Sequence, residues 1–388
     1  MITTKHSHHT TARWLLLALA IALLGGCVYL SPQPVGIGPQ LSFSNLPGWT
    51  QDRHAEAWPA LLQSCHKKAT KDPRWSILCE QAVSMAQPND IAARKFFEHW
   101  FRPHRVLGSW GRRHGLITGY YEPLLKGSLT ASADYPVALY RRPAELLTVD
   151  LAELYPELAG KRVRGRVKGQ KVIPYYDRKQ IDGTDNPLSG NELVWVDDPV
   201  AAFFLHIQGS GRIQLPDGKR VAVGYADQNG HPYSSLGRTL VKQGKMKLEE
   251  VNLSSLRAWL KDHPDQITDM LNTNASYVFF KFRDVPAGGP IGSLNVPLTA
   301  ERSLAVDRSI IPLGLPVWLE TTTPDEHPQP YRRLVMAQDT GGAIRGVIRA
   351  DLFWGTGHRA ERMAGNMKQA GRLYVLVPID PKQGTNTP

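Results

Sequence analysis

Cysteine is scarce in this chain: three among 388 residues, at positions 27, 65 and 79. That excludes a disulfide-dense scaffold and a four-cysteine zinc site. Long apolar runs are missing too. After residue 30 no stretch approaches the ~20 apolar residues that a spanning helix needs, which excludes a polytopic membrane protein. Neither HExxH nor CxxC occurs and the histidines are scattered, so no metal site and no cofactor is expected. No Gly-x-Ser-x-Gly elbow is present. One Asp-Thr-Gly stands at 339–341. Aspartic proteases need two such loops facing each other, because two carboxylates must share one proton, and the sequence holds no second copy. There is no internal repeat and no strand–helix alternation, which argues against a Rossmann-type sheet.

What the chain does have is charge of one sign. Lys and Arg number 46 against 35 Asp and Glu, a formal net charge of +11. The excess predicts an anionic partner: nucleic acid, a membrane surface or an acidic polymer. At ~150 residues per domain the length suits two domains, and 42% hydrophobic residues is ordinary for a globular protein.

The N-terminus narrows that choice. Lys5 and Arg13 stand before the apolar run Trp14–Leu24, which is too short to span a bilayer and the right size for a signal-peptide core. Leu24-Gly25-Gly26-Cys27 then looks like a bacterial lipobox, with residues 1–26 as the signal and Cys27 as the lipidated residue. Val28 rather than Asp follows, which in enteric-type bacteria points to the outer membrane. On this reading the body faces the periplasm and nucleic acid is excluded as a partner. Residues 27–50, rich in Pro, Gly and Ser, form the lipid-anchored linker. Cys65 and Cys79 would lie in an oxidising compartment, either bonded to each other or as two separate buried thiols.

Residues 53–102 show apolar residues at three- and four-residue spacing and read as helices, the last beginning near Asn89-Asp90. From Leu116 the period becomes β-like. The runs around 116–129, 135–143, 171–177, 191–199, 202–215 and 219–227 are short strands separated by Gly, Pro and Asp. AFFLHIQ is read among these strands, which puts His206 and Gln208 on one face. They form either a cross-strand polar pair or a pair of hydrogen-bonding groups for a sugar. Helical interruptions are expected at 143–155 and 248–262, and a hairpin turn at 217–219. A second β-rich stretch begins near Ser276, with one helix over about 358–370 ending at Gly371. Residues 161–179 hold eight basic residues and a single acid, Asp177.

The C-terminal region carries the chemistry. Asp307, Asp339 and Asp351 each stand at a strand-like run beside turn residues, and Phe353 and Trp354 follow Asp351 closely. Sugar rings stack on aromatic faces, and apolar neighbours raise a carboxyl pKa and keep it protonated as a general acid.

Here the residues carry a resemblance. Gly119-Tyr120-Tyr121-Glu122-Pro123, FFLHIQGSGRIQLPDG (203–218), SYVFF (276–280), VPLTAERSLAVDRSIIPLGLPVWLE (296–320) and QDTGGAIRG…ADLFWGTG (338–357) resemble membrane-bound lytic murein transglycosylase A. The match runs in order over roughly 50–378, and its last part looks like the three-aspartate domain of related cell-wall proteins.

The resemblance implies a mainly β protein with N-terminal helices. A double-psi β-barrel and a smaller inserted β-barrel would flank a deep groove. The main domain would combine residues 51–119 and 276–378, with the insertion at 120–275 and a tail at 379–388. It implies an exolytic, non-hydrolytic cleavage of the β-1,4 bond between N-acetylmuramic acid and N-acetylglucosamine in peptidoglycan, leaving 1,6-anhydro ends. Carried onto these motifs, Asp351 is acid and base, and Asp339 and Asp307 support it. Tyr120, Tyr121, Gln208, Tyr277 and Trp354 would bind substrate. The implied partner is the peptidoglycan strand, met by a monomer that could associate with murein synthases. The competing class is a non-catalytic peptidoglycan-binding outer-membrane lipoprotein.

Overall fold

The computed structural model describes residues 35–379 except 71, 160, 162 and 285–288. The signal at 1–26, Cys27, the start of the linker, Arg162 and the tail from 380 lie outside the described residues.

Three helices lie in the first hundred residues: α1 (Trp58–Lys68), α2 (Pro73–Ser84) and α3 (Asp90–Trp100). Their starts are set locally. Pro73 opens α2, where a missing N–H costs nothing, and the Asp72 carboxylate accepts from the Arg74 amide at 3.0 Å. Asn89 caps α3 by accepting from the Ala92 amide at 2.9 Å. Their apolar stripes, including Trp58, Leu61, Trp75, Leu78, Phe96 and Phe97, are buried in the main core. Cys65 and Cys79 are bonded, which decides between the two readings of the sequence and staples α1 to α2.

The described residues hold seventeen strands, of which β1 precedes these helices and the rest follow. The first group is β1 (Gly36–Gln40), β2 (Phe101–Leu107) and β3 (Gly115–Glu122). The second is β4 (Leu124–Ser128), β5 (Val137–Tyr140), β6 (Leu147–Thr148), β7 (Arg164–Lys168), β8 (Lys171–Pro174), β9 (Glu192–Val196), β10 (Ser210–Gln214), β11 (Arg220–Gln228) and β12 (Val278–Arg283). The third is β13 (Ser303–Val306), β14 (Pro316–Thr322), β15 (Pro330–Asp339), β16 (Arg349–Thr356) and β17 (Lys368–Pro378). Three longer helices lie among them: α4 (Pro199–Gln208), α5 (Leu253–Asp262) and α6 (Gly357–Asn366).

The first and third groups form one body. Its strands run β17-β14-β15-β13-β16-β3, and β3 pairs back onto β17, so six strands close into a barrel. Two of its pairings are parallel, β13 with β15 and β16 with β3. This closed, mixed barrel with helices packed on it agrees with the fold that the resemblance implied. The second group makes a six-stranded sheet, β12-β11-β10-β4-β9-β5, whose end strands β12 and β5 curl together, plus the small sheet β6-β7-β8. Leu125, Val194, Ile213, Val223 and Phe280 fill its core. Because β12 pairs with β11, the second sheet runs past residue 275 to Arg283.

Buried polar groups fasten the N-terminal helices to the barrel. Arg302, 1% exposed, donates to both oxygens of Asp52, to Glu56 and to the Leu334 carbonyl. Asp52 also accepts from the Leu334 amide at 2.8 Å. Gln338 donates from Nε2 to the Ala60 carbonyl at 2.7 Å and accepts from Ser303 at 2.6 Å. It is the residue directly before Asp339, so this network fixes the end of β15.

Three expectations are corrected. Residues 199–208 form α4, not a strand: Asp198 caps it, Pro199 opens it and Gly209, at φ 75°, ends it. Ala202, Phe203, Phe204, Leu205 and His206 are all buried, so the helix is apolar nearly all round and hides its period. His206 and Gln208 therefore share no strand face. Residues 143–155 hold turns and β6 rather than a helix. The helix expected to end at Gly371 ends at Asn366, and Gly371 lies within β17, where a side chain would strike Ile117.

Candidate active site

Strand register builds the site. Ala305 on β13 pairs with Asp339 on β15 and with Asp351 on β16, and Asp351 pairs with Thr118 on β3. Opposite residues point to the same face, so the four stand in a row. Two strand spacings of ~4.8 Å separate the backbones of the two acids, with a methyl side chain between them.

Alternate residues of β3 serve this row. Thr118 Oγ1 donates to Asp351 Oδ1 at 2.7 Å, and Tyr120 Oη donates to Asp339 Oδ2 at 2.9 Å. Two residues beyond Asp351, Phe353 pairs with Tyr120, and their ring centroids lie 5.2 Å apart. The intervening β3 residues point the other way. A Cβ on Gly119 would lie 2.6 Å from Trp354 Nε1 and 2.8 Å from Ala364 Cα, so only glycine lets α6 pack this closely on β3.

The two acids differ in how fully they are bonded. Asp339 Oδ1 accepts from the Ser293 amide, the Ser293 hydroxyl and the Thr340 amide at 2.9, 2.8 and 2.8 Å, and Oδ2 from Tyr120. Burial raises its carboxyl above the ordinary range against all four donors. Asp351 has Thr118 on one oxygen and no hydrogen bond to the other among the described residues. Burial pushes Asp351 up to about 6, helped by the like charge of Asp339 and opposed by Thr118 and the cationic Arg349.

Asp307 does different work. Its carboxylate accepts from the Ser309 hydroxyl at 2.6 Å, the Ser309 amide at 3.1 Å and the Gly346 amide at 2.9 Å. Burial would raise its pKa, but these donors and Arg345 outweigh it and hold it below the usual carboxylate range. It pins the loop between β15 and β16 to the turn after β13, and so sets where Asp339 and Asp351 stand.

The residues expected to bind substrate divide. Tyr120 joins the acids. Tyr121 and Gln208 lie on the other face of β3, where Gln208 Oε1 accepts from the Tyr121 amide at 3.2 Å and both line a cavity of about 210 Å³. Trp354 is 2% exposed, donates to Met367 Sδ and packs on Tyr331, within the main core. Tyr277 is 1% exposed and packs between His206 and the Arg178 guanidinium. Neither ring is open to a sugar. His206 Nδ1 accepts from the Val278 amide at 3.1 Å, and burial, then the Arg178 charge, pushes its pKa well down.

The basic run is split. Arg164 binds Asp227, Arg166 covers the Tyr176 ring and Arg178 is buried. Lys161, Lys168, Lys171 and Lys179 are exposed. Among the described residues no group of His, Cys, Asp and Glu could hold a metal ion, and no helix is long and apolar enough to cross a membrane.

Thr118, Ser293 and Arg349 were not singled out in the sequence. The period of two in LITGYYE puts Thr118 on the face of Tyr120, so that signal was present. Ser293 reaches Asp339 from a loop 46 positions away, and no local pattern marks it.

Comparison with known proteins agrees with this geometry. Residues 116–281 match the MltA specific insert domain and residues 302–377 match the 3D domain. The membrane-bound lytic murein transglycosylase A of Escherichia coli (strain K12) is 31% identical over 268 residues, covering 67% of this chain and 65% of that protein. The chain thus spans slightly under two thirds of that curated relative's length. Among solved structures, MltA from Neisseria gonorrhoeae is 34% identical over 89% of this chain and 96% of its own, with a TM-score of 0.75. The membrane-bound lytic murein transglycosylase from Agrobacterium tumefaciens is 32% identical over 87% and 97%, with a TM-score of 0.76.

Proposed function

The chain belongs to the membrane-bound lytic murein transglycosylase A family, and from that premise we propose that it cleaves peptidoglycan glycan strands without water, with Asp351 as the acid and then the base. One observation carries this reading. Asp351 has one carboxyl oxygen without a hydrogen bond among the described residues and is raised to about 6, so about a tenth is protonated at pH 7, about a hundredfold more than for an ordinary carboxyl near ~4.

An ordinary glycosidase needs a second carboxylate as nucleophile or water-activating base. Here the second carboxylate, Asp339, has both oxygens occupied by four donors. A single acid suffices if the substrate supplies its own nucleophile. Asp351 gives its proton to the glycosidic oxygen, and the bond from that oxygen to C1 of the muramic ring breaks. The Asp351 carboxylate then takes the proton of the ring's C6 hydroxyl as O6 bonds to C1. The acid is regenerated and no water is consumed. Because O6 belongs to the reacting ring, most of the entropy of bringing it to C1 is already lost.

Asp339 supports by its charge, which raises Asp351, and by fixing Tyr120. Asp307 supports through the loop it pins. Tyr120, partly exposed on the face of the acids, is the residue for the sugar to meet, with the buried Phe353 ring packed against it. The same reading anchors the protein by Cys27 lipid to the outer membrane, facing the periplasm, as an exolytic monomer open to association with murein synthases.

Release of soluble fragments from insoluble murein by the protein lacking residues 1–27 tests this reading against the binding-only alternative. A cutting enzyme releases them and the Asp351→Asn variant does not. Co-sedimentation of the wild type with intact murein, with nothing released, would leave a binder.

A further inference from the structure

The loop between β2 and β3, residues 108–114, holds a tryptophan out to solvent. Trp110 is fully exposed, at 102%. Its backbone sits at φ 60° and ψ 28°, a left-handed conformation that bulky residues rarely adopt. The turn is nevertheless well defined. The Gly108 amide donates to the Arg112 carbonyl at 2.8 Å, the Arg112 amide donates to the Ser109 carbonyl at 3.3 Å, and Gly111 follows Trp110 at φ 69°. A strained backbone that presents a ring with no packing partner among the described residues adds nothing to the fold, so the partner of that ring lies outside it.

Positive charge surrounds the ring. Between Glu98 and Glu122 the chain holds four arginines and no acid. Arg112 and Arg113, directly after the turn, are exposed, and neither pairs with an acid among the described residues. Tryptophan favours the boundary between lipid and water, where its apolar body is buried and its N–H stays wet, and arginine matches phosphate in a two-pronged geometry.

The position of the loop points to the same partner. β1 pairs antiparallel with β2, Gly36 opposite Leu107, so the chain coming from the N-terminus enters the fold beside the first residue of the loop. Cys27 precedes Val35 by eight residues, which reach at most ~28 Å. No charged residue stands between Cys27 and Gln51, so nothing in that stretch repels an anionic surface. From the loop, β3 leads through Thr118, ~10 Å past Gly115, to Glu122 and on to the second sheet.

We propose that the loop carrying Trp110, Arg112 and Arg113 docks on a membrane surface of anionic phospholipid, with the indole in the headgroup layer and the guanidinium groups on lipid phosphates. The proposal rests on the reading of Cys27 as the lipid anchor. A tether alone leaves the body free to turn. A second contact beside the point where the tether enters fixes its orientation and turns the far end of β3, with the second sheet, away from the lipid.

The test measures partition onto vesicles by sedimentation, using the protein lacking residues 1–27, whose described elements all begin at Gly36 or later. Vesicles of phosphatidylglycerol and phosphatidylethanolamine are compared with vesicles of phosphatidylcholine alone. The wild type is expected to bind the anionic vesicles at least about tenfold more tightly. Trp110→Asn, which suits the left-handed backbone, should weaken that binding at least about fivefold, and Arg112→Gln with Arg113→Gln about tenfold. Lys168→Gln with Lys171→Gln removes the same charge elsewhere and should change binding by less than about twofold. All three variants should cut murein like the wild type when no vesicle is present. Loop variants that bind like the wild type, or a lysine pair that matters as much, overturn the proposal. So does a Trp110→Asn variant that loses murein cutting and keeps vesicle binding, which would give the ring to the glycan. An unacylated Cys27 in the mature protein, read from its mass, would instead overturn the anchor reading, so the two failures are told apart.

Discussion

Thr118 donates its hydroxyl hydrogen to Asp351 Oδ1 at 2.7 Å across a parallel strand pair, and this bond works against the burial that raises the acid. A donor of this kind favours the charged carboxylate. The acid is therefore held at about 6 by a balance that single substitutions can tip in a known direction.

Asp351 must begin protonated, so the rate should fall as pH rises through about 6. Thr118→Val removes a donor to the charged form and should move that falling limb to higher pH. Arg349→Gln, which removes a favourable charge, should move it the same way. A pH–rate profile for each variant checks this. A limb that stays in place or moves down would show that another group titrates.

Asp351→Asn should lose at least ~10³-fold activity, the range of a general-acid contribution. It should also stabilise the fold at pH 8. A carboxyl whose folded pKa is raised gives stability that is complete below its unfolded value near ~4 and is lost as pH rises through the folded value. The neutral amide escapes that loss, a gain of about 1–3 kcal/mol at pH 8 that should shrink toward zero near pH 4. Thermal melts at the two pH values check it.

Asp52→Ala should destabilise the protein by about 3–5 kcal/mol, because Arg302 would keep its buried charge without its main partner. Asp52 is held low: burial would raise it, but Arg302 and the Leu334 amide outweigh that. The stability it contributes is present above the ordinary carboxylate range and disappears as pH falls through its depressed value. Denaturant unfolding at pH 7 and at low pH measures both effects.

Cys65→Ser with Cys79→Ser should cost about 2–4 kcal/mol through the unfolded chain, since the bond closes a loop of 14 residues. The bond joins α1 to α2, and neither cysteine hydrogen-bonds to the acids, so kcat at 25 °C should stay within about twofold.

The strands around Asp307, Asp339 and Asp351 were legible because each carries a short continuous apolar run, LAV, LVMA and LFW, bounded by turn residues. The acids were legible because they stand at those turns. What could not be read is pairing across distance. Nothing local sets Ala305 between Asp339 and Asp351, and nothing local aims Ser293 at Asp339. Helix α4 was missed because burial on nearly all sides leaves no apolar stripe, although Asp198 and Pro199 marked its start. Trp354 was placed by adjacency to Asp351, yet in a strand residues three apart face opposite ways. Phe353, two residues on, is the aromatic residue that shares the acid's face.

The central claim is that Asp351 cleaves with the substrate's own hydroxyl and not with water. Mass spectrometry of murein fragments released by the protein lacking residues 1–27 tests it most directly. The account predicts 1,6-anhydro-muramic ends, each fragment one water lighter than its hydrolytic counterpart. Reducing ends as the main product would contradict it.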